Sequence, residues 1–172
     1  LQTHSNFRYQ AGKGALILQT IVPLAAPPVG VTYRWGYFDA LGGLYWRARH
    51  DAGVEFVRRS SIDGGVSETA WRTDAGANVF GAGSIFEQRL QWLGVGTDEA
   101  FINGRTVAKI EHAGTLPHVY LNSATLPLRY EVENFGSVGT VASMKQICAS
   151  VQSEGGTSPP SFGFSARRTA DL

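Results

Sequence analysis

Strict alternation of apolar and charged residues is the most constraining feature of this chain, and it runs from Leu128 to Glu133 as LRYEVE. A period of two is typical of a β-strand with one face on a core and the other in water. A glycine-rich turn follows, and then a second strand-like run that ends at Gly155-Gly156. This block holds no arrangement of residues typical of catalysis, so it predicts a structural or binding element.

Short strand-like runs also fill most of the remaining chain. Asn103-Gly104 is the strongest hairpin signal, because a type I′ turn requires positive φ at both positions. Asp39–Gly42 and Asp63–Gly65 predict two further turns, and no segment has a convincing helical periodicity. The predicted strands are 15–22, 31–38, 43–49, 54–60, 85–93, 100–102, 105–110, 117–121, 126–133 and 141–153. The sequence therefore predicts an all-β fold, an antiparallel β-sandwich of jelly-roll or lectin-like type.

The length of 172 residues fits one domain. We assign the sandwich to residues 15–156, preceded by an extended N-terminal arm over 1–14 and followed by an extended C-terminal tail over 157–172. Residues 73–84 are rich in glycine and predict a long loop that is either functional or held by a partner. Because the chain begins at Leu1, we expect it to be a processed product or part of a longer one.

The charge content restricts the possible partners. Charged residues make up 17% of the chain, below the roughly 25% typical of soluble domains, which suggests that neighbouring subunits cover part of the surface. A compact β domain rich in surface Ser and Thr is the alternative. The net charge of +1 without a polybasic run argues against nucleic acid as a partner. Cys148 is the only cysteine, which excludes an intrachain disulfide and suits a reducing cytoplasm. The apolar run 15–24 is too short to span a bilayer, so no membrane association is predicted.

Motifs for catalysis and cofactor binding are incomplete. Gly12-Lys13-Gly14 lacks the spacing and the Ser or Thr of a phosphate-binding loop. Gly94-Val95-Gly96 lacks the third glycine of a dinucleotide fingerprint and is interpreted as a strand-end turn. No G-x-S-x-G motif is present. We therefore predict that the protein is not an enzyme and uses no cofactor.

Two groups of titratable residues leave alternatives open. His112 and His118 flank a turn and, with Glu111, could hold a metal ion, although loop histidines bonded to backbone or water are the simpler interpretation. Glu131 and Glu133 share one strand face about 7 Å apart, a separation that glycosidases also use. Cross-strand ion pairs with opposite neighbours such as Arg129 or Lys145 explain these glutamates more simply. We predict neither a metal site nor catalytic residues.

An aromatic cluster suggests carbohydrate binding. Tyr33, Trp35, Tyr45 and Trp46 could form a platform on which sugar rings stack. Alternation puts Tyr33, Trp35 and Tyr37 on one strand face, which is also the pattern of a row of core residues.

Several motifs, in order along the chain, carry a resemblance to a known family. They are YQAGKG at 9–14, RWGYF at 34–38 with GGLY at 42–45, RRSSIDG at 58–64, QWLGVG at 91–96, and the strands at 126–133 and 144–156. Together they resemble a family of uncharacterised virion structural proteins from tailed phages and large DNA viruses. The family usually has a longer, aspartate-bearing segment where this chain has residues 73–84.

The resemblance implies a non-enzymatic virion structural protein, such as a capsid decoration, vertex or fibre-base component. Such a protein is assembled in the host cytoplasm and acts with other virion proteins, and we expect a homo-oligomer, a trimer or larger ring. The alternative is a carbohydrate-binding module that attaches the particle to a host surface glycan. The predicted interface residues are Phe7, Arg8 and Tyr9 in the arm, and Phe162, Phe164, Arg167 and Arg168 in the tail.

Overall fold

The computed structural model contains only β-strands as regular elements within the residues that it describes. These residues are 1–8, 13–23, 25–73, 80, 83–91, 95–113, 120–121, 123, 125–136 and 141–153. The strands are β1 (Phe7–Arg8), β2 (Ala15–Pro23), β3 (Val31–Phe38), β4 (Gly43–Arg49), β5 (Gly53–Ser60), β6 (Ser67–Arg72), β7 (Ser84–Leu90), β8 (Val95–Ile102), β9 (Arg105–Ala113), β10 (Thr125–Leu126), β11 (Leu128–Asn134) and β12 (Met144–Ser153). The described residues contain no helix long and apolar enough to cross a membrane.

Two antiparallel sheets of five strands each form a sandwich, as the sequence predicts. The front sheet has the order β11-β3-β4-β5-β6, and the back sheet has the order β12-β2-β7-β8-β9. A short ribbon of β1 and β10 accompanies them. Because every second residue of a strand points to the same side, each sheet presents an inner face to the core and an outer face to its surroundings.

Aromatic rings from both sheets interlock in the core. Phe86 of the back sheet has its ring centroid 4.9 Å from that of Trp35 and 5.1 Å from that of Trp46, both in the front sheet. The two pairs are edge-on, which is a favourable geometry for aromatic rings. Trp46 also packs against Phe56. All four side chains are fully buried, so the two sheets are joined through this cluster.

The first residues of the chain lie against their own sandwich. Tyr130 donates its backbone N–H to the carbonyl of Leu1 at 2.8 Å, and Thr3 donates its backbone N–H to Leu128 at 3.0 Å. The ammonium group of Leu1 also donates to the carbonyl of Tyr130 at 3.0 Å. This segment therefore covers part of the free edge of β11. The tail predicted over 157–172 lies outside the described residues.

The Asn103-Gly104 turn forms as the sequence predicts, whereas several strand bounds differ and one strand, β6, was not predicted. Asn103 has φ of 52° and Gly104 has φ of 78°, as a type I′ turn requires. Strand β8 begins at Val95, so Val95 and Gly96 are paired strand residues and not a turn. Strand β6 was not predicted, because its sequence, SETAWR, is largely exposed and lacks an apolar alternation. It forms through pairing with β5 at the sheet edge.

Candidate functional site

Four rows of side chains cross the outer face of the front sheet. The strand register aligns them, since each residue in a row is the direct partner of the next one. The rows are Phe38–Gly43–Arg59–Glu68, Arg129–Gly36–Tyr45–Val57–Ala70, Glu131–Arg34–Arg47–Glu55–Arg72 and Glu133–Thr32–Arg49–Gly53. We call these four rows the outer face.

A small apolar cluster forms the floor of the outer face. Phe38, Tyr45 and Val57 are fully buried although they point away from the main core. The rings of Phe38 and Tyr45 lie 4.5 Å apart between centroids. The guanidinium carbon of Arg59 lies 5.5 Å from the centroid of Phe38 and 5.0 Å from that of Tyr45, so the floor is covered by a cation.

Glycine is required beside this floor. Gly36 is the direct partner of Tyr45, and a Cβ atom at position 36 would lie 2.5 Å from the Cα of Tyr45 and 2.7 Å from the carbonyl oxygen of Leu44. Both contacts are with backbone atoms, so a side chain at this position would force β3 and β4 apart.

Glu68 connects the floor to the charged part of the face. Its carboxylate accepts hydrogen bonds from the Tyr45 hydroxyl at 2.5 Å, from Arg47 at 2.7 Å and from Arg59 at 2.8 Å. Burial opposes ionisation of Glu68, but the hydrogen bonds from Tyr45 and Arg59 and the charges of both arginines outweigh it and lower its pKa. Burial, together with the Glu68 carboxylate, raises the pKa of Tyr45, which keeps its hydroxyl a donor. Glu68 is therefore an ionised acceptor held by three donors.

The other glutamates of the outer face are also paired with arginines. Glu55 accepts from Arg47 at 2.9 Å. Arg34 pairs with Glu133 and lies 3.7 Å from Glu131. Arg129 pairs with Glu131 at 2.5 Å, but both residues lie on β11, so the prediction of a cross-strand pair with Arg129 is wrong. The cross-strand partner of these glutamates is Arg34 of β3.

An open groove of about 640 Å³ extends from the outer face to the edge of β11. Phe135, which follows β11 directly, lines it and is 65% exposed. Among the described residues it is the only exposed Phe, Tyr or Trp side chain. The groove is lined by Leu1, Arg34, Ala40, Arg59, Val66, Arg129, Tyr130, Glu131, Val132, Glu133 and Phe135. It therefore combines guanidinium groups, carboxylates and one aromatic surface.

The predicted sugar-stacking platform is wrong in its residues. Tyr33 is 2% exposed, and Trp35, Tyr45 and Trp46 are 0% exposed. Tyr33, Trp35 and Trp46 belong to the core between the sheets, and Tyr45 lies beneath Arg59. None of them can offer a ring face to a ligand.

The structure places some of the other predicted site residues. Phe7 is half-buried against the core, and its carbonyl accepts a hydrogen bond from the Tyr37 hydroxyl at 2.6 Å. Arg8 is exposed. Subunit contacts through these two residues stay a prediction. Outside the described residues lie Tyr9, Phe162, Phe164, Arg167, Arg168, His118 and the side chain of His112. The described side chains include no group of three His, Cys, Asp or Glu residues suited to a metal ion.

Solved structures share this sandwich. Galectin LEC-6 from Caenorhabditis elegans superposes with a TM-score of 0.53 and 19% sequence identity, over 88% of this chain and 92% of that one. The chain has a galectin-like fold. Sheep galectin-11, in a complex with glycerol, gives a TM-score of 0.53 at 10% identity, over 86% of this chain and 95% of that one.

The receptor-binding domain of botulinum neurotoxin D gives a TM-score of 0.50 at 10% identity. It covers 86% of this galectin-like chain, which spans 34% of that domain. No protein-family model and no curated protein sequence matches the chain. These identities establish a shared architecture for the galectin-like sandwich.

Proposed function

We propose that this chain is a non-enzymatic carbohydrate-binding module and that its binding surface is the groove on the outer face of the front sheet. The observation that carries the proposal is the groove's combination of paired arginines and glutamates with the exposed ring of Phe135. The likeness to galectins, which are lectins by name, and to a receptor-binding domain supports a binding role over catalysis.

The chemistry of the groove suits a sugar. Sugar hydroxyls both donate and accept hydrogen bonds, so carboxylates and guanidinium groups at fixed positions can satisfy them. The apolar C–H face of a sugar ring packs against an aromatic ring such as Phe135. The ion pairs of Arg34 and Arg129 restrict these side chains before a ligand arrives, which lowers the entropic cost of binding.

The resemblance to virion proteins suggests that the binding module acts on a virus particle. A module of this kind would attach a particle to a host surface glycan, and the subunit contacts predicted for the arm and tail would present several copies together. Several linked copies raise the overall affinity well above that of one site. The virion location, the homo-oligomer and assembly in the host cytoplasm stay predictions from the sequence.

A glycan array tests the proposal. We expect the wild-type chain to bind a subset of glycans and the Phe135→Ala variant to bind that subset roughly tenfold more weakly, because the stacking surface is lost. The matched control is Ile147→Ala, which removes an apolar side chain that is 58% exposed on β12 of the back sheet. It should leave binding unchanged. No binding by the wild type, with or without calcium, or an equal loss in both variants, would refute the proposal.

A further inference from the structure

The outer face carries more positive than negative charge. Its six arginines are Arg34, Arg47, Arg49, Arg59, Arg72 and Arg129, and its four glutamates are Glu55, Glu68, Glu131 and Glu133. The face thus has an excess of two positive charges, although the whole chain has a net charge of +1. Because the arginines come from all five strands, no basic run marks them in the sequence.

Charges on the back sheet are balanced by comparison. Arg89 lies 2.8 Å from Glu87 and 3.8 Å from Glu99, and Lys109 lies 2.6 Å from Glu99. There, two cations pair with two carboxylates, whereas on the outer face six arginines accompany four glutamates, and carboxylates are shared between arginines. Glu68 pairs with both Arg47 and Arg59. An anion that enters from outside therefore meets surplus cations on the outer face.

Part of this excess positive charge lies in the groove, where a ligand can contact it. Arg34, Arg59 and Arg129 line it, and their side chains are 14%, 13% and 32% exposed. Arg129 is thus the most accessible of the three. Guanidinium groups in a concave, partly dehydrated site attract anions more strongly than the same groups in open water. Their planar donors also match the oxygen atoms of a carboxylate or a sulfate.

We propose that the groove selects acidic glycans, in which a carboxylate or a sulfate ester pairs with Arg129 and Arg34 while a sugar ring packs on Phe135. This inference rests on the proposed function and specifies its ligand class. Carboxylate and sulfate share the chemistry that the arginines recognise, and the two are separated by experiment.

Calorimetric titrations with matched sugars test the inference. The probes are lactose, sialyllactose and sulfated lactose, which share one core, and tetragalacturonate with its neutral methyl ester. We expect each acidic sugar to bind at least roughly tenfold more tightly than its neutral counterpart, since each gains a charge-assisted pair. The difference should shrink as NaCl is raised from about 50 to about 300 mM, because salt screens partly exposed charges. The preferred lactose derivative identifies carboxylate or sulfate as the group that is bound.

Two variants test whether the preference for acidic sugars arises in the groove. Arg129→Gln should weaken the binding of acidic sugars much more than that of neutral sugars and so remove most of the preference, whereas the control Arg89→Gln on the back sheet should change neither affinity. Equal affinity for acidic and neutral sugars would overturn the inference and leave the proposed function standing. Equally tight binding of a thymidine octanucleotide would overturn it in favour of general polyanion binding. Failure of every sugar to bind would remove both the inference and the proposed function.

Discussion

We expect the Phe86→Ala variant to lose about 3–5 kcal/mol of unfolding free energy, the usual cost of removing a buried phenylalanine ring. Phe86 is fully buried, and its ring contacts Trp35 and Trp46 edge-on at 4.9 and 5.1 Å between centroids. Because it belongs to the back sheet and the two indoles belong to the front sheet, its removal leaves a cavity between the sheets. Equilibrium unfolding in urea measures the loss.

The neighbouring residue of the same strand provides the control for this prediction. Ile85 is 49% exposed and points to the other side of β7. Its replacement by alanine should change the unfolding free energy by no more than about 0.5 kcal/mol. Similar losses for the two variants would show that Phe86 does not hold the sheets together as described.

The second large effect is expected for Gly36→Ala, at about 1–3 kcal/mol or more. The added Cβ atom would lie 2.5 Å from the Cα of Tyr45, 2.6 Å from its Cβ and 2.7 Å from the carbonyl oxygen of Leu44. Real side chains do not approach backbone atoms this closely, so the pairing of β3 with β4 must open. Thermal and urea unfolding both report this change.

Gly65→Ala is the matched control, since a Cβ atom at Gly65 meets no atom within 4 Å. This variant should unfold like the wild type to within about 0.5 kcal/mol. If Gly36→Ala were equally well tolerated, the close approach of β3 and β4 at Tyr45 would be wrong.

Both substitutions also bear on the binding face, because the same strands carry the core and the site. In β4, Trp46 points inward against Phe86, while Tyr45 and Arg47 on either side of it point outward. The core packing therefore sets the positions of the outer rows. A shift of β3 against β4 would displace Arg34, which pairs with Glu133 and lines the groove.

Much of the fold could be predicted because its strands alternate and its turns have specific residues. The predicted bounds 31–38 and 43–49 agree with the observed strands, and Asn103-Gly104 adopts the expected turn. Strand β6 was missed for a physical reason. Its side chains are mostly exposed, so its conformation depends on hydrogen bonds to β5. No pattern within the sequence of β6 predicts those hydrogen bonds.

The site was harder to predict than the fold. A period of two shows which residues share a strand face, but it does not show which face is covered by other residues. In β4 both faces are covered, since Tyr45 and Trp46 are buried on opposite sides of the strand. The arginines of the outer face are spread from Arg34 to Arg129, and only the strand register brings them together. Phe135 is a single aromatic residue after a strand, so no pattern distinguishes it from an ordinary turn residue.

The most direct test of the central claim is an NMR titration of the isotope-labelled chain with the glycan that binds most strongly on the array. We expect the side-chain Nε–Hε signals of Arg34, Arg59 and Arg129 and the backbone amide of Phe135 to shift in proportion to occupancy. The signal of Arg89, on the back sheet, should stay in place. Shifts confined to the back sheet, with the arginines of the groove unchanged, would contradict the assignment of the outer face as the carbohydrate-binding surface.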